Sequence, residues 1–192
     1  MSTLDENILT KIDLEIETGL FNETLMNAFN ESNKKEFVII NIGTDRVTGD
    51  CLGPLLGTLL EEKELSNIKI YGTLKDPIHA KNLEYKILEI YKAHPDAFFL
   101  AIDACLAQDY EHLDKIYLRS IPIQPGKGLG KDLLSVGDYS IIANVAMADE
   151  FNFFELNRVR LNIVWNLANK LKKEIIELNS LLEKEELEYA AV

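Results

Sequence analysis

The feature that most constrains the fold is a short apolar run followed at once by a glycine-rich loop and a second apolar segment. The run EFVIINIG (36–43) is rich in β-branched residues, which is typical of a strand covered on both faces of a mostly parallel sheet. The loop NIGTDRVTGDCLGP (41–54) comes next, and LLGTLLEEKEL (55–65) then has the apolar spacing of a helix. A strand, a loop and a helix in this order indicate an α/β domain.

The same alternation continues along the chain. Further strands are predicted in NIKIYGTL (67–74), DAFFLAIDAC (96–105), LDKIYLRSIPI (113–123) and YSIIANVA (139–146). A second helix is predicted in DPIHAKNLEYKILEIYKAHP (76–95), with Asp76 as its cap, and a loop in 124–138 turns on Gly126, Gly128 and Gly130. We therefore predict a three-layer α/β sandwich with a mostly parallel central sheet.

The two ends of the chain are predicted to be helical. The segment 1–35 carries Ile8, Ile12, Ile16 and Leu20 at helical spacing, and a long apolar stripe begins at about residue 150. The 192 residues, 47% of them hydrophobic, suffice for one compact core, so we predict a single domain over 1–192.

Charge and composition narrow the classes of partner. Lys and Arg number 20 against 32 Asp and Glu, and the resulting net charge of -12 repels a phosphate backbone, so no nucleic-acid partner is expected. No apolar stretch reaches the ~20 residues that cross a bilayer, so no membrane association is expected. The two cysteines lack the spacing of a disulfide framework or a zinc site, which favours a reducing cytoplasmic compartment.

Several reactive side chains follow the predicted strands. Ligands of parallel α/β sheets bind beyond the carboxyl ends of the strands, so these side chains should meet at one edge. They are Asp45 and Asp50 after the first strand, Asp76 and His79 after the second, and Asp103 and Cys105 after the third. The loop 41–54 carries acids and lacks the Gly-Lys-Ser/Thr ending of a phosphate-binding loop, so we do not expect it to bind nucleotides.

Five blocks, in one order from about residue 36 to 168, resemble the spore protein YyaC family of endospore-forming bacteria. They are IGTDRVTGDCLGP, YGTLKDPIHAKNL, AIDAC, PGKGLGKDLLSVGDYSI and NRVRLNIVWNLA. That family is related in fold to germination protease and to the hydrogenase maturation endopeptidases. The resemblance implies their fold, a role in sporulation or germination, and a place in the cytoplasm of the sporulating cell or forespore. It also implies that Asp50 and Asp103 match the catalytic acids of germination protease, whereas SVGDYSI lacks the histidine that completes the metal-binding set of the maturation endopeptidases.

The residues themselves also make Asp50 and Asp103 a candidate catalytic pair. Two neighbouring carboxylates cannot both ionise freely, so they can share a proton, activate water and polarise a peptide carbonyl. The alternative is structural, with Asp50 capping the helix from Cys51 and Asp103 capping a turn. The sequence therefore predicts either a peptidase-like enzyme acting on a protein or peptide, or a noncatalytic binding or scaffold protein.

The neighbours of this pair have narrower roles. Asp45 and Arg46 either form a local ion pair, or Arg46 orients the aspartates or binds a substrate carboxylate. Gly43 permits the turn of the loop. His79 completes a hydrogen-bond network or binds a metal. No cofactor is expected, and weak divalent-metal binding by the two aspartates and His79 is the alternative.

The remaining candidates have mainly structural interpretations. Cys105 is a nucleophile only if His79 lies within hydrogen-bond reach, and otherwise it packs. His94 and His112 are expected to be solvated. The aromatic residues Phe151, Phe153, Phe154 and Trp165 are expected to form core or a subunit contact, the latter being consistent with a homo-oligomer.

Overall fold

A single mixed sheet forms the centre of the protein in the computed structural model, which describes residues 13–16, 19–125, 134–148 and 152–190. Its strands are β1 (Asp13–Glu15), β2 (Glu36–Asn41), β3 (Ile68–Tyr71), β4 (Ala97–Ala107), β5 (Ile116–Arg119) and β6 (Tyr139–Met147). The strand order is β1-β5-β6-β4-β2-β3. Strands β3, β2, β4 and β6 run parallel to one another, whereas β5 and β1 are antiparallel to their neighbours. The prediction of a mostly parallel sheet is confirmed.

Helices cover both faces of the sheet. They are α1 (Phe21–Ser32), α2 (Leu52–Glu61), α3 (Leu83–Ala93), α4 (Asn152–Arg158) and α5 (Leu161–Ala190). Helices α1, α2 and α5 share one apolar core with one face of the sheet, and α3 packs on the other face. None of the helices in the described ranges is long and apolar enough to cross a membrane.

Strand β4 lies at the middle of the sheet and carries the two alternating faces of the core. Leu100 and Ile102 face the layer of α2 and α5, and Ala101 faces the layer of α3. Asn41, the last residue of β2, lies opposite Ile102 of β4 in the sheet register. The N–H of the next residue, Ile42, donates to the Ile102 carbonyl at 2.7 Å. The loop after β2 therefore leaves the sheet beside Asp103.

Two local predictions are wrong. The segment 13–15, expected to be helical, is the edge strand β1 and pairs with β5 through Leu14 and Leu118, because this backbone pairing outweighs a helical spacing of few residues. Asp76 does not cap α3, which begins at Leu83, since Asn82 is its N-cap residue. Asp76 is exposed and forms an ion pair with Lys86 at 2.7 Å. The predicted turns at Gly126, Gly128 and Gly130 lie outside the described residues.

His94 is also placed differently from the solvated position expected for it. It follows the last turn of α3, is half-buried, and links two strands of the sheet. Its Nε2 lies 2.7 Å from the Tyr71 hydroxyl, and its Nδ1 lies 2.5 Å from Glu36 Oε2. His112 is exposed, as expected, although its Nδ1 lies 2.7 Å from the Tyr117 hydroxyl.

Candidate active site

Three chain segments meet at the carboxyl edge of the parallel strands. Ile42 forms an isolated parallel bridge with Ile78, and the Gly43 N–H donates to the Ile78 carbonyl at 2.8 Å. On its other side Ile42 bonds to Ile102 of β4. Gly43 therefore lies between the segment that carries His79 and the strand that carries Asp103, as the rule for parallel sheets predicts.

The loop 43–51 folds back on itself so that Asp50 returns to Gly43. The Thr44 N–H lies 3.0 Å from the Asp50 carbonyl and 3.1 Å from Asp50 Oδ2. Gly43 has a φ of +138°, and a Cβ at this position would lie 2.0 Å from the Asp50 carbonyl oxygen. Only glycine fits here, because the backbone conformation and the close approach both exclude a side chain.

Asp103 is a buried acid at the centre of this edge. Only 8% of the residue is exposed, and its Oδ1 accepts a hydrogen bond from the Ala104 N–H at 2.8 Å. Burial raises the pKa of the Asp103 carboxyl well above its ordinary range, and the charge of Asp50 raises it further. The bond from Ala104 lowers this pKa but does not offset the other two effects. Asp103 therefore holds its proton to a higher pH than an exposed aspartate.

Asp50 differs from Asp103 in its surroundings. It is half-buried in the short 3-10 turn Gly49–Cys51, and its carboxylate accepts the bond from Thr44. The N-cap residue of α2 is Cys51 and that of the 3-10 turn is Thr48, so Asp50 does not occupy a cap position. The structure thus places a more accessible carboxylate within electrostatic reach of a buried one.

Asp45 and Arg46 lie at the exposed tip of the same loop. The Arg46 N–H donates to Thr44 Oγ1 at 3.4 Å, and within the described residues neither charged side chain forms an ion pair. Burial raises the pKa of the Cys51 thiol and the charge of Asp45 raises it further, so this acid lies near the start of α2. The local ion pair considered from the sequence is absent within the described residues, and Arg46 is exposed.

His79 lies on the rim next to Gly43. The backbone N–H of His79 donates to Asn82 Oδ1 at 2.8 Å. Asn82 Nδ2 in turn donates to the Pro77 carbonyl at 3.0 Å. The ring Nδ1 is buried and has no hydrogen-bond partner within the described part of the chain. Asn82 is not among the site residues predicted from the sequence, although an asparagine just before a helix is a signal for this type of turn.

Neither a metal cluster nor a cysteine–histidine pair is formed by the residues that the structure describes. There, no group of three or more His, Cys, Asp and Glu side chains is arranged to hold a metal ion. Burial, and then the charge of Asp103, raises the pKa of the Cys105 thiol, which donates to the Leu106 carbonyl at 3.7 Å. No hydrogen bond joins Cys105 to His79, so the histidine does not activate this thiol.

The family of the chain follows from a match over most of its length. A family model described as "Protein of unknown function (DUF1256)" matches residues 11–174. The chain belongs to this family. A family relative is "Uncharacterized protein YyaC" of Bacillus subtilis (strain 168), 41% identical over 147 residues, which cover 77% of this chain and 71% of the relative. The resemblance drawn from the five sequence blocks is confirmed.

A solved structure supports the fold. The structure titled as a [NiFe] hydrogenase maturation protease HycI from Thermococcus kodakarensis KOD1 matches with a TM-score of 0.58. The match covers 82% of this chain and 99% of that one at 17% sequence identity. The DUF1256 chain therefore has the fold of a hydrogenase maturation protease, as predicted.

Proposed function

We propose that this protein is a peptidase-like hydrolase that cleaves a protein or peptide substrate with Asp50 and Asp103. The observation that carries the proposal is that the two acids have different surroundings. Burial and the charge of Asp50 raise the pKa of the Asp103 carboxyl, whereas Asp50 is only half-buried. A pair of carboxyl groups in unequal environments can act as acid and base together. The likeness to a maturation protease supports the choice of a peptide bond as substrate.

In this mechanism the protonated Asp103 donates a hydrogen bond to the peptide carbonyl oxygen. Asp50 accepts a proton from water while the water oxygen forms a bond to the carbonyl carbon. The C–N bond then breaks, and Asp50 returns its proton to the departing amine, which leaves a carboxylic acid and an amine as products. Exposed Arg46 would bind a substrate carboxylate, and His79 would support the hydrogen-bond network of the rim beside the two acids.

The biological setting of the proposal is sporulation or germination. We infer this setting, in the cytoplasm of the sporulating cell or forespore, from the resemblance of the five sequence blocks to a spore protein family. The 41% identity to a Bacillus subtilis protein supports it.

The test is to incubate the purified protein with an extract of spores that lack it and to map new peptide termini by mass spectrometry. New termini are expected with the unchanged protein and not with Asp50→Asn or Asp103→Asn. The matched control is Asp96→Asn, an identical change at an exposed acid that precedes β4 at the opposite edge of the sheet. Cleavage that survives both site substitutions would refute the catalytic pair.

A noncatalytic binding protein is the second candidate. It is favoured by the bonds that both carboxylates make to their own chain, Asp50 to Thr44 and Asp103 to Ala104. In that case the same extract yields no new termini, and an affinity column of the protein retains the same partner with and without Asp50→Asn.

A further inference from the structure

An exposed apolar pair lies at the start of the longest helix. Leu161 is 57% exposed and Trp165 is 47% exposed, one turn apart on the same side of α5. Phe154 of α4 is 62% exposed as well. Phe154 and Trp165 therefore do not belong to the core, and a subunit contact stays a prediction for both. The Phe151 and Phe153 side chains lie outside the described residues. Side chains of this size on a surface mark a contact site when they cluster.

This surface is continuous with the turn that carries Asp50. A Cβ on Gly49 would lie 2.9 Å from the Leu156 carbonyl and 3.0 Å from Val159 Cγ2, so the end of α4 packs directly on the residue before Asp50. Arg158 and Arg160 flank Val159, and α5 begins at Leu161. We call Arg158, Arg160, Leu161 and Trp165 the α5 surface.

The charge around the α5 surface is opposite to that of the whole protein. Residues 156–173 contain Arg158, Arg160, Lys170, Lys172 and Lys173 and no acid, in a chain of net charge -12. All of these side chains except half-buried Lys172 are exposed. Arg158 bonds to Glu155 at 3.2 Å with 78% of its side chain exposed, and such a surface pair contributes little. A segment with five positive charges and no acid favours an acidic partner more than the net charge of the whole chain does.

We propose that the α5 surface binds an acidic polypeptide segment that seats an aromatic or aliphatic side chain against Leu161 and Trp165. This inference rests on the proposed function, and it defines the substrate as a protein with an acidic stretch next to the bond that is cleaved. Arg158 and Arg160 supply the electrostatic attraction, and the apolar pair supplies the anchor, a combination that recurs at protein interfaces. Because Val159 packs on Gly49, a segment bound at Arg158 and Arg160 would lie next to the turn that carries Asp50.

The protein carries its own reporter of this binding. Trp165 is the single tryptophan of the chain, so its fluorescence reports on the α5 surface alone. The probe is a short synthetic peptide of Glu and Asp residues with Leu and Phe at its centre and no tryptophan. We expect a saturable blue shift of the emission and a binding affinity that falls as salt is raised. Two matched peptides, one with Gln in place of the acids and one with Ser in place of Leu and Phe, should bind about tenfold more weakly.

Protein variants show whether the acidic peptide binds at the α5 surface or at other basic residues. The double variant Arg158→Ala with Arg160→Ala should weaken binding of the acidic peptide about tenfold. Removal of the same charge from the opposite face, by Lys81→Ala with Lys92→Ala at α3, should leave the affinity unchanged. For Trp165→Ser the affinity is measured by calorimetry and should also fall. Circular dichroism of each exposed-residue variant verifies that the fold is retained.

The result is independent of catalysis. Asp50→Asn should bind the peptide with unchanged affinity, so binding without hydrolysis supports the α5 surface even if the proposed enzyme activity fails. Equal binding of the acidic and Gln peptides, or equal loss from both double variants, would overturn the proposal. Two other outcomes would also overturn it: preferential binding to vesicles of anionic phospholipid, and a concentration-dependent Trp165 shift without peptide that marks self-association.

Discussion

Asp50 lies close enough to Asp103 for its charge to raise the pKa of the buried Asp103 carboxyl, in addition to the larger effect of burial. The two acids are 53 positions apart in the chain and reach one edge because the loop after β2 and the end of β4 are neighbours in the sheet.

Asp103→Asn is expected to stabilise the protein at neutral pH. A carboxyl whose pKa is higher in the folded than in the unfolded state binds more protons when folded, so its contribution to stability falls as the pH rises above the unfolded value of ~3.9. The asparagine removes this loss and keeps an oxygen that accepts the Ala104 N–H. Urea denaturation should give a higher midpoint for the variant at pH 7 and a difference that shrinks toward pH 4. A lower midpoint at pH 7 would indicate that the ionised carboxylate is needed by the fold.

Asp50→Asn is expected to lower the pKa of Asp103 without returning it to the ordinary value. The substitution removes the charge of Asp50 and leaves the burial of Asp103, which is the larger cause. NMR titration of the aspartate carboxyl carbons measures this directly, and Asp96→Asn provides the control at an exposed acid. An Asp103 titration that does not move in Asp50→Asn would show that the two acids are not coupled.

Gly43→Ala is expected to destabilise the protein by about 2–4 kcal/mol. The new Cβ would lie 2.0 Å from the Asp50 carbonyl oxygen in a backbone of positive φ, so the loop that places Asp50 has to shift. Gly19→Ala is the matched control. Gly19 also has a positive φ, of +75°, but no atom of the described residues lies within 4 Å of the added Cβ. Its cost should be about 1 kcal/mol. If both variants lose the same unfolding free energy in chemical denaturation, the positive φ alone requires glycine at position 43, and the close contact with Asp50 adds nothing.

Tyr71→Phe is expected to cost about 1 kcal/mol of unfolding free energy at neutral pH. The substitution removes the hydroxyl that lies 2.7 Å from His94 Nε2, and leaves the contact of His94 with Glu36 in place. Tyr85→Phe is the control, because the Tyr85 hydroxyl bonds to Glu89 on the exposed side of α3. If thermal denaturation shows the same small loss for both, the bond between Tyr71 and His94 contributes no more than a surface bond.

The purified protein is expected to retain no metal ion after dialysis. Two aspartates and one histidine form an incomplete, oxygen-rich set of ligands, which binds divalent ions weakly. Elemental analysis before and after dialysis measures the content. Stoichiometric zinc or nickel that is lost in His79→Ala would contradict the prediction and assign the unpartnered Nδ1 of His79 to a metal.

The sequence by itself determined the architecture and the edge of the sheet where the candidate site lies. Apolar runs such as FVII and FFLAI predict central strands, because helices cover both faces of a parallel strand and its residues are therefore mostly apolar. The strand and helix order then brings Asp50, His79 and Asp103 to one edge. These patterns involve residues that are neighbours in the chain, so they can be recognised in a single sequence.

Only the tertiary structure decided how each of these residues is used. Edge pairing with β5 made Asp13–Glu15 a strand, and α3 begins at Leu83 with Asn82 as its N-cap residue, so Asp76 does not cap it. The pKa of Asp103 depends on burial by distant segments and on the charge of Asp50, neither of which has a signature in nearby residues. The exposure of Trp165 likewise depends on which side of α5 faces the core. Burial and electrostatic fields are sums over neighbours that are distant in sequence, and they exist only when the chain is folded.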